Sequence, residues 1–326
     1  MKKSSQKEVS KTLVTGSSGY VASILIPNIN KHMEVFGIDV SENIHTDLKC
    51  DIAEDSLKSS LYHFKEQKLT IINLAASRFD FGASAKDYYK LNVLSHEKFL
   101  QSLSGFRIRK FIHVSSVAAF DGKNIPYSDS LNCDDAYRAT KYLQEVKIQK
   151  WCSDNNIELT ILYPSAIFSD DPRSDTNIGK LQSISRYIPF VPKIDVVKSL
   201  TYLPTFSKFI ADLAAGEISA GKYLTIEKPS LTVSKIIQII SGQSIRLVHI
   251  PFLQLILRTI ANFLYVISLF GKFDFIITPN RVVKLFSDTS YTQINYEDID
   301  TETYTSRNCR QLTEILADFK KEKINA

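Results

Sequence analysis

Apolar residues follow two different spacings along the first half of the chain, and the two spacings alternate. Short runs rich in β-branched residues are typical of buried strands, and they occur at 11–16 ("KTLVTG"), 33–40 ("MEVFGIDV"), 69–76 ("LTIINLAA"), 110–120 ("KFIHVSSVAAF") and 157–168 ("IELTILYPSAIF"). Longer amphipathic stretches are typical of helices, and they occupy 20–30, 85–103 and 135–155. Strands that alternate with helices predict an α/β fold with a doubly wound parallel sheet.

Composition changes this picture little. The chain has 326 residues, of which 44% are hydrophobic and 23% charged, as in ordinary globular proteins. The formal net charge of +5 is spread along the chain, so we expect no nucleic-acid partner. The four cysteines and six histidines show no metal-binding spacing, so we expect reduced thiols and no metal. The basic N-terminus lacks the apolar core of a signal peptide, which favours a cytoplasmic location.

The first strand runs directly into a glycine-containing turn, "TGSSGYVAS". Gly16 and Gly19 lie in the turn, and the small residue Ala22 follows inside the next helix. Residues without side chains let backbone N–H groups approach a dinucleotide's pyrophosphate, and a helix N-terminus favours its negative charge. The spacing is G-x-x-G-x-x-A rather than G-x-G-x-x-G. On this motif alone, an ordinary strand–turn–helix remains an equal alternative.

Two acidic residues extend the prediction of a nucleotide site. Asp39 ends the second strand, where a carboxylate accepts hydrogen bonds from the adenosine ribose and repels a 2′-phosphate, so the sequence favours NAD over NADP. Asp51 follows a predicted third strand, where it could approach the adenine amino group. A helix N-cap is the alternative for Asp51.

A tyrosine and a lysine stand one helical turn apart in "DDAYRATKYLQE". Tyr137 and Lys141 therefore share a helix face, which fits either an ordinary surface pair or a catalytic pair. A neighbouring ammonium favours the phenolate form of a tyrosine, which can then exchange a proton with a carbinol. Ser115 and Ser116 end the preceding predicted strand and could supply a hydroxyl.

In combination, these motifs resemble the extended short-chain dehydrogenase/reductase family, in its branch of nucleotide-sugar epimerases and reductases. The resemblance covers roughly 11–168 and rests on "TGSSGYVA", Asp39, "CDI", "NLAA", "LNVLSHEKFL", "VSSVAAF" and "YRATK". It implies a Rossmann domain over 1–168 with a returning segment near 200–229. It also implies a smaller, mainly helical substrate-binding cap over 169–199 and 230–326. In such enzymes Tyr137 would be the general acid/base, Lys141 would hold the nicotinamide ribose and Ser116 would hydrogen-bond the substrate oxygen.

The resemblance also implies contacts that spacing alone does not single out. Cofactor contacts are expected at Gly16, Ser18, Gly19, Tyr20, Val21, Asp39, Asp51, Ile52, Leu74, Ala75, Ala76, Asn92, Tyr137, Lys141 and Tyr163. Substrate contacts are expected at Ser77, Ser116, Val117, Ala166 and Arg186. Lys193 and Lys198 are further candidates for contacts with phosphates, with a solvated side chain as the alternative for each.

The chain departs from the family pattern at informative places. Val117 and Ala118 follow Ser116, where sugar-nucleotide dehydratases carry an Asp–Glu pair, so dehydration is not expected. Tyr163 replaces an arginine that is usual in the family, and Ala166 replaces an asparagine that often holds the diphosphate of a nucleotide sugar. The standard diphosphate anchor is therefore in doubt.

The segment 247–271 is strongly apolar and is interrupted by the charged residue Arg258. Its uncharged runs are too short to span a bilayer, which needs ~20 residues. A hydrophobic lid over the substrate is the leading interpretation, and peripheral membrane contact is a second one.

The expected function is an NAD-dependent sugar-nucleotide 4-epimerase or 4-keto-sugar reductase that makes precursors of surface polysaccharides, as a homodimer. The missing asparagine and the apolar cap leave open a ketone reductase of the 3β-hydroxysteroid or dihydroflavonol type. A non-catalytic NAD-sensing protein is a third class, which the intact Ser116, Tyr137 and Lys141 disfavour.

Overall fold

The computed structural model describes residues 11–30, 33–76, 83–170, 177–185, 190–241, 246–268, 278–291, 298–307 and 310–318. The strands are β1 (Lys11–Thr15), β2 (Glu34–Asp39), β3 (Leu48–Lys49), β4 (Lys68–Asn73), β5 (Arg107–Val114), β6 (Glu158–Pro164), β7 (Ala166–Phe168), β8 (Val191–Pro192), β9 (Val197–Lys198), β10 (Leu200–Tyr202), β11 (Lys222–Thr225), β12 (Leu231–Thr232), β13 (Leu247–Val248) and β14 (Ile299–Asp300).

The α-helices are α1 (Tyr20–Ile29), α2 (Leu57–Ser60), α3 (Ala85–Tyr89), α4 (Ser95–Ser102), α5 (Ala118–Gly122), α6 (Cys133–Asp154), α7 (Asn177–Ser185), α8 (Leu203–Ala215), α9 (Val233–Ser241), α10 (Leu253–Ser268), α11 (Pro279–Phe286), α12 (Thr303–Ser306) and α13 (Leu312–Asp318). A 3₁₀ turn (Tyr62–Phe64) and a π-helical turn (Lys90–Leu94) lie between them.

The chain divides into two compact units. The first comprises Met1–Ser165, Leu203–Thr225 and Glu297–Tyr304. The second comprises Ala166–Tyr202, Ile226–Tyr296 and Thr305–Ala326. Strand β14 belongs to the first unit's sheet, although it comes from the region that the sequence analysis assigned to the cap.

An eight-stranded sheet forms the centre of the first unit, in the order β14-β11-β6-β5-β4-β1-β2-β3. Neighbouring strands pair in parallel throughout. The order reverses between β1 and β4, which is the switch point where open α/β sheets bind ligands beyond the carboxyl ends of their strands. The predicted doubly wound, Rossmann-type parallel sheet is therefore confirmed.

The helices pack on this sheet through residues at helical spacing. In α1, for example, Ala22, Leu25, Ile26 and Ile29 are buried, because residues three and four apart lie on one face. The apolar run at 110–120 does not continue as a strand to its end: β5 stops at Val114, and residues 118–122 form α5. That break places two serines between a strand and a helix.

The described residues of the second unit form helices and three two-stranded sheets, which pair β10 with β7, β12 with β9 and β13 with β8. One of its apolar clusters joins α7, α9 and α13, with Ile178, Ile236, Leu312 and Ile315 among its buried members. No helix in the described part of the chain combines the length and the apolar character needed to cross a membrane.

Candidate active site

The turn after β1 has the geometry that only glycine allows. Gly16 has a φ of +74°, and a Cβ atom there would lie 3.0 Å from the backbone nitrogen of Ala75. Its N–H donates to the carbonyl of Ile38 at 2.9 Å, which ties the turn to β2. Gly19 precedes α1 and offers no side chain to cap that helix. Ala22 is fully buried in α1.

The end of β2 is tied to the same turn by Asp39. The half-buried carboxylate accepts hydrogen bonds from the N–H groups of Ser18 at 3.0 Å and Ser41 at 2.8 Å. These two bonds fix the carboxylate beside the turn that Gly16 and Gly19 form. An acceptor for the ribose hydroxyls of a dinucleotide is therefore built next to the glycine turn.

Asp51 has a local role in the structure. Its carboxylate accepts a hydrogen bond from the N–H of Ala53 at 2.9 Å, which makes a turn well before α2 begins at Leu57. The neighbouring Ile52 is buried. The N-terminal flanking residue of α2 is Ser56, so Asp51 does not cap that helix.

The loop after β4 is fixed alongside β1. Thr15 donates through its Oγ1 to the Oδ1 of Asn73 at 2.7 Å, and the same Oγ1 accepts from the N–H of Ala75 at 3.3 Å. Leu74 donates its N–H to the Thr15 carbonyl at 3.2 Å. Leu74 and Ala75 therefore lie against the glycine turn, and Ala76 follows them as an exposed residue.

The two serines after β5 are not equivalent. Ser115 is buried and donates to the Glu145 carboxylate at 3.3 Å. Ser116 is half-buried, and its Oγ accepts from the N–H of Ala118 at 3.2 Å, at the start of α5. Val117 is buried, with its N–H donating to the carbonyl of Pro164 at 3.1 Å. Ser116 is therefore the hydroxyl that a substrate could reach.

Helix α6 positions the tyrosine and the lysine. Asn132 caps it by accepting hydrogen bonds from two N–H groups of its first turn. Tyr137 is half-buried, and the ring of Tyr88 on α3 meets it edge-on at 6.0 Å. A Cβ atom at Gly122 of α5 would lie 2.0 Å from the carbonyl oxygen of Arg138, so only glycine lets α5 pack this closely beside Tyr137.

Lys141 is almost completely buried one turn after Tyr137. Its Nζ donates to the carbonyl oxygen of Val114, the last residue of β5, at 3.3 Å, and to the Oε1 of Gln144 at 2.7 Å. Burial lowers the pKa of Lys141 to about 7, and the nearby carboxylate of Glu145 opposes this shift. The ammonium is therefore held at the carboxyl end of β5, two residues before Ser116.

Two residues behind Lys141 were not found by the sequence analysis. A lysine can only donate, so the Gln144 oxygen must face it, and the Gln144 amide nitrogen then donates to the Nε2 of His96 at 2.7 Å. Burial, followed by the charge of Lys141, lowers the pKa of His96 to about 3, which keeps the ring neutral as an acceptor. The sequence signal was available: Gln144 stands three residues after Lys141, on the same face of α6.

A second buried contact continues this polar layer under the strand ends. The Oδ1 of Asn73 accepts from Thr15, so its amide nitrogen donates to the Nδ1 of His113 at 3.2 Å. Burial and the charge of Lys141 lower the pKa of His113, which is therefore neutral. Asn92 is buried in the π-helical turn, and its amide nitrogen donates to Thr140 Oγ1 at 3.4 Å. Asn92 thus holds α6 between the two predicted catalytic residues.

The remaining predicted residues form no hydrogen bond with Ser116, Tyr137 or Lys141 among the described residues, or lie outside them. Tyr163 donates its hydroxyl to Glu145 Oε1 at 2.6 Å inside the first unit, where burial raises the pKa of both groups. Ala166 belongs to the second unit. Ser77 and Arg186 lie outside the described residues.

Two lysines of the second unit that were considered for phosphate contacts have local partners. Lys198 donates to the carbonyls of Lys284, at 2.7 Å, and Ser287, at the end of α11. Lys193 pairs with Asp195 at 3.4 Å. Lys198 therefore stabilises a helix end by binding its orphan carbonyls.

Residues 12–188 match the model of the NAD dependent epimerase/dehydratase family, over more than half of the 326-residue chain. The chain belongs to this family. Family membership makes the protein an NAD-dependent enzyme of the epimerase/oxidoreductase type, which confirms the family, the cofactor and the enzyme class predicted from the sequence. No curated protein sequence matches the chain.

Solved structures with the same fold include several epimerases of this family's type. UDP-glucuronic acid 4-epimerase from Bacillus cereus, in complex with UDP-glucuronic acid and NAD, is 20% identical, with a TM-score of 0.57, and the match covers 74% of this chain and 86% of that one. UDP-N-acetylglucosamine 4-epimerase from Methanobrevibacter ruminantium is 20% identical, with a TM-score of 0.60 and coverages of 75% and 87%. MoeE5, in complex with UDP-glucose and NAD, is 14% identical, with a TM-score of 0.62 and coverages of 96% and 99%.

The described residues fit a nicotinamide dinucleotide in this family enzyme. Gly16 lets the turn lie against the backbone of Ala75, and Gly19 leaves the N-terminus of α1 without a capping side chain, where a pyrophosphate would bind. Asp39 would hold the adenosine ribose, and Lys141 would hold the nicotinamide ribose at the end of β5. A series of hydrogen bonds links the strands that carry these residues. It joins β2 to the glycine turn, β1 to Asn73 of β4, and Asn73 to β5.

Proposed function

We propose that this family member is a nucleotide-sugar 4-epimerase, which inverts one carbinol of its substrate with NAD. The observation that carries the proposal is the placement of Tyr137 on α6, one turn before a buried Lys141 that is anchored to the end of β5 beside Ser116. A phenol, an ammonium and a hydroxyl at one strand end are the groups that carbinol oxidation requires. Val117 and Ala118 cannot exchange protons, so the site does not support dehydration.

Each side chain has a distinct role in the proposed reaction. Tyr137 takes the proton of the substrate hydroxyl during oxidation and returns a proton when the carbonyl is reduced from its other face. Ser116 donates a hydrogen bond to the same oxygen in its carbonyl form. Bound NAD supplies a hydride acceptor, and once reduced a hydride donor, for that carbon.

Lys141 is the cation of the proposed site. It is buried one helical turn after Tyr137 and would hold the nicotinamide ribose at the end of β5. Burial lowers its pKa to about 7, so its charge responds to pH near neutrality. Gln144 holds the ammonium in place, and the neutral His96 orients Gln144.

A nucleotide sugar is the substrate class that the comparisons support. Two of the similar solved structures are complexes with UDP-glucuronic acid and with UDP-glucose. Ala166 stands where many relatives carry the diphosphate-binding asparagine, so this chain would hold its diphosphate through other residues. We propose surface-polysaccharide precursors as the product class, from the family resemblance of residues 177–210.

Release of bound nucleotide tests the proposal. An epimerase keeps its nicotinamide while the keto intermediate turns over, whereas a net reductase exchanges it in every cycle. The purified protein is denatured, the supernatant is assayed for nicotinamide, and the native protein is given UDP-, GDP- and dTDP-sugars without added cofactor. Stoichiometric NAD and inversion of a sugar support the proposal. A nucleotide-free protein that consumes NADH on a 4-keto sugar, or on a sterol-like ketone, contradicts it.

A further inference from the structure

Helix α10 exposes large apolar side chains to solvent along its whole length. We name six of them the α10 outer face: Phe252 just before the helix, then Leu255, Ile256, Ile260, Phe263 and Val266. Phe252 is 79% exposed and Phe263 is 66% exposed. Apolar patches of this kind on a folded protein mark an interaction surface.

Helix α10 packs against its own unit through other side chains than those of the outer face. At about 100° per residue, the six side chains span an arc of about 140° on one side of the helix. On the opposite side Ala261 is fully buried, and Leu253, on the flank beside Ile260, packs against a cluster that includes Val191 and Ile237. The polar residues Gln254, Arg258 and Asn262 lie on the other flank, between Ala261 and Leu255. The fold therefore needs one apolar side of α10 and leaves the other for a partner.

The first residue of the outer face has an unfavourable backbone. Phe252 has a φ of +57°, in the left-handed region that bulky residues rarely adopt. Its carbonyl accepts the N–H of Ile256 at 3.0 Å, so this conformation starts the helix while its ring stays in solvent.

The charged residues in the sequence around α10 indicate the kind of partner. Between Glu227 and Asp274 the sequence contains no acidic residue, whereas it contains Lys228, Lys235, Arg246, Arg258 and Lys272. In the described part of this segment, Lys235, Arg246 and Arg258 are exposed. An apolar helix face with Arg258 on its polar flank, in a stretch of sequence that is basic and lacks acidic residues, matches a surface of anionic phospholipid headgroups over acyl chains.

We propose that the α10 outer face binds the surface of an anionic phospholipid bilayer, with the helix lying in the plane of the interface. A second copy of the chain is less suited to it. From their exposed fractions, the six side chains present ~600 Å² of apolar surface, given ~150–250 Å² for a whole large side chain. A stable interface buries ~800 Å² on each partner. This proposal does not depend on the proposed reaction.

Vesicle flotation tests it with the full-length protein. Wild type is mixed with phosphatidylcholine vesicles with and without phosphatidylglycerol, and is expected to float with the anionic vesicles and to be released by salt. Phe252→Gln/Phe263→Gln is expected to lower the partition coefficient about a hundredfold, at about tenfold for each large apolar side chain. Arg258→Gln is expected to lower it about fivefold on anionic vesicles alone. Tyr62→Gln, which changes a 61% exposed aromatic residue of the first unit, is the matched control and should float as wild type does.

Three outcomes would overturn the proposal. The first is a wild type that floats with neither kind of vesicle, and the second is a double variant that floats as well as wild type. The third comes from light scattering without lipid: a wild-type dimer that becomes a monomer in the double variant would show that a second copy covers the face. Bound nicotinamide and circular dichroism confirm that the variant is folded.

Discussion

Replacement of Lys141 by methionine should change the free energy of unfolding in a pH-dependent way. Compared with wild type, the variant should gain more stability at neutral pH than at alkaline pH. Methionine fills the space of the lysine without its charge. A lysine with a pKa of 10.5 in the unfolded chain and about 7 in the fold lowers stability at pH 7 by ~4 kcal/mol relative to a neutral side chain. Between these pKa values the unfolded chain holds a proton that the folded protein has released, so wild-type stability recovers as the pH rises.

The size of this recovery is the quantity to measure. At pH 9 the same two pKa values leave a penalty of only ~2 kcal/mol, so the stability difference between Lys141→Met and wild type should shrink by ~2 kcal/mol from pH 7 to pH 9. The variant also leaves the Gln144 oxygen unsatisfied, at ~1–3 kcal/mol. That loss is the same at both pH values, so the change with pH isolates the lysine.

The single tryptophan provides the assay. Trp151 lies on α6, the helix of Lys141, and packs against the apolar core of the first unit. Urea unfolding is followed by its fluorescence at pH 7 and pH 9 in nucleotide-free protein, because bound nucleotide would add its own stabilisation. Lys150→Met, at a 75% exposed side chain of the same helix, should show no such change with pH. A stability difference for Lys141→Met that stays constant or grows between the two pH values would refute the role of burial.

Three further predictions concern the proposed site. Tyr137→Phe should lower turnover by about 10²–10⁴ and leave bound NAD unchanged, measured by sugar inversion and nucleotide content, because the hydroxyl serves proton transfer. Asp39→Asn removes the charge that repels a 2′-phosphate and keeps an acceptor oxygen for one of the two N–H groups, of Ser18 and Ser41, that bind the carboxylate, so titrations should show at least about a tenfold weaker preference for NAD over NADP. Gln144→Met removes a hydrogen bond to an ammonium worth ~1.5–3 kcal/mol, so the alkaline limb of the pH–activity profile should move about one to two pH units lower, and Gln144→Glu should move it higher.

The fold could be predicted from the sequence because its first half repeats short, clearly spaced elements. The runs at 11–16 and 20–30 became β1 and α1 with nearly the same bounds, since a buried strand and an amphipathic helix differ in spacing. After Ser165 the strands are two to four residues long. Runs of this length have no measurable periodicity, and the pairing of β14 with β11 depends on tertiary contacts alone.

Some residues of the candidate site could likewise be predicted from local motifs, whereas others depend on tertiary contacts. Gly16, Ser116 and Tyr137 stand in local patterns whose chemistry can be read from neighbouring residues. The contact of Gln144 with His96 joins residues 48 positions apart, on α6 and α4, and no spacing rule predicts it. The hydrogen bond from the Tyr163 hydroxyl to Glu145 is another tertiary contact that the motif does not predict, and the cofactor contact of Tyr163 stays a prediction.

In the proposed epimerase reaction, one carbinol carbon loses and regains the same hydride within the enzyme, while Tyr137 moves the hydroxyl proton. A UDP-sugar labelled with deuterium at C4 tests this directly, with no nicotinamide added and the products analysed by NMR and mass spectrometry. We predict that both C4 epimers form and that both keep the deuterium at C4, without hydrogen from water at that carbon. Loss of the deuterium to solvent, or a requirement for added NADH before any product forms, would contradict it.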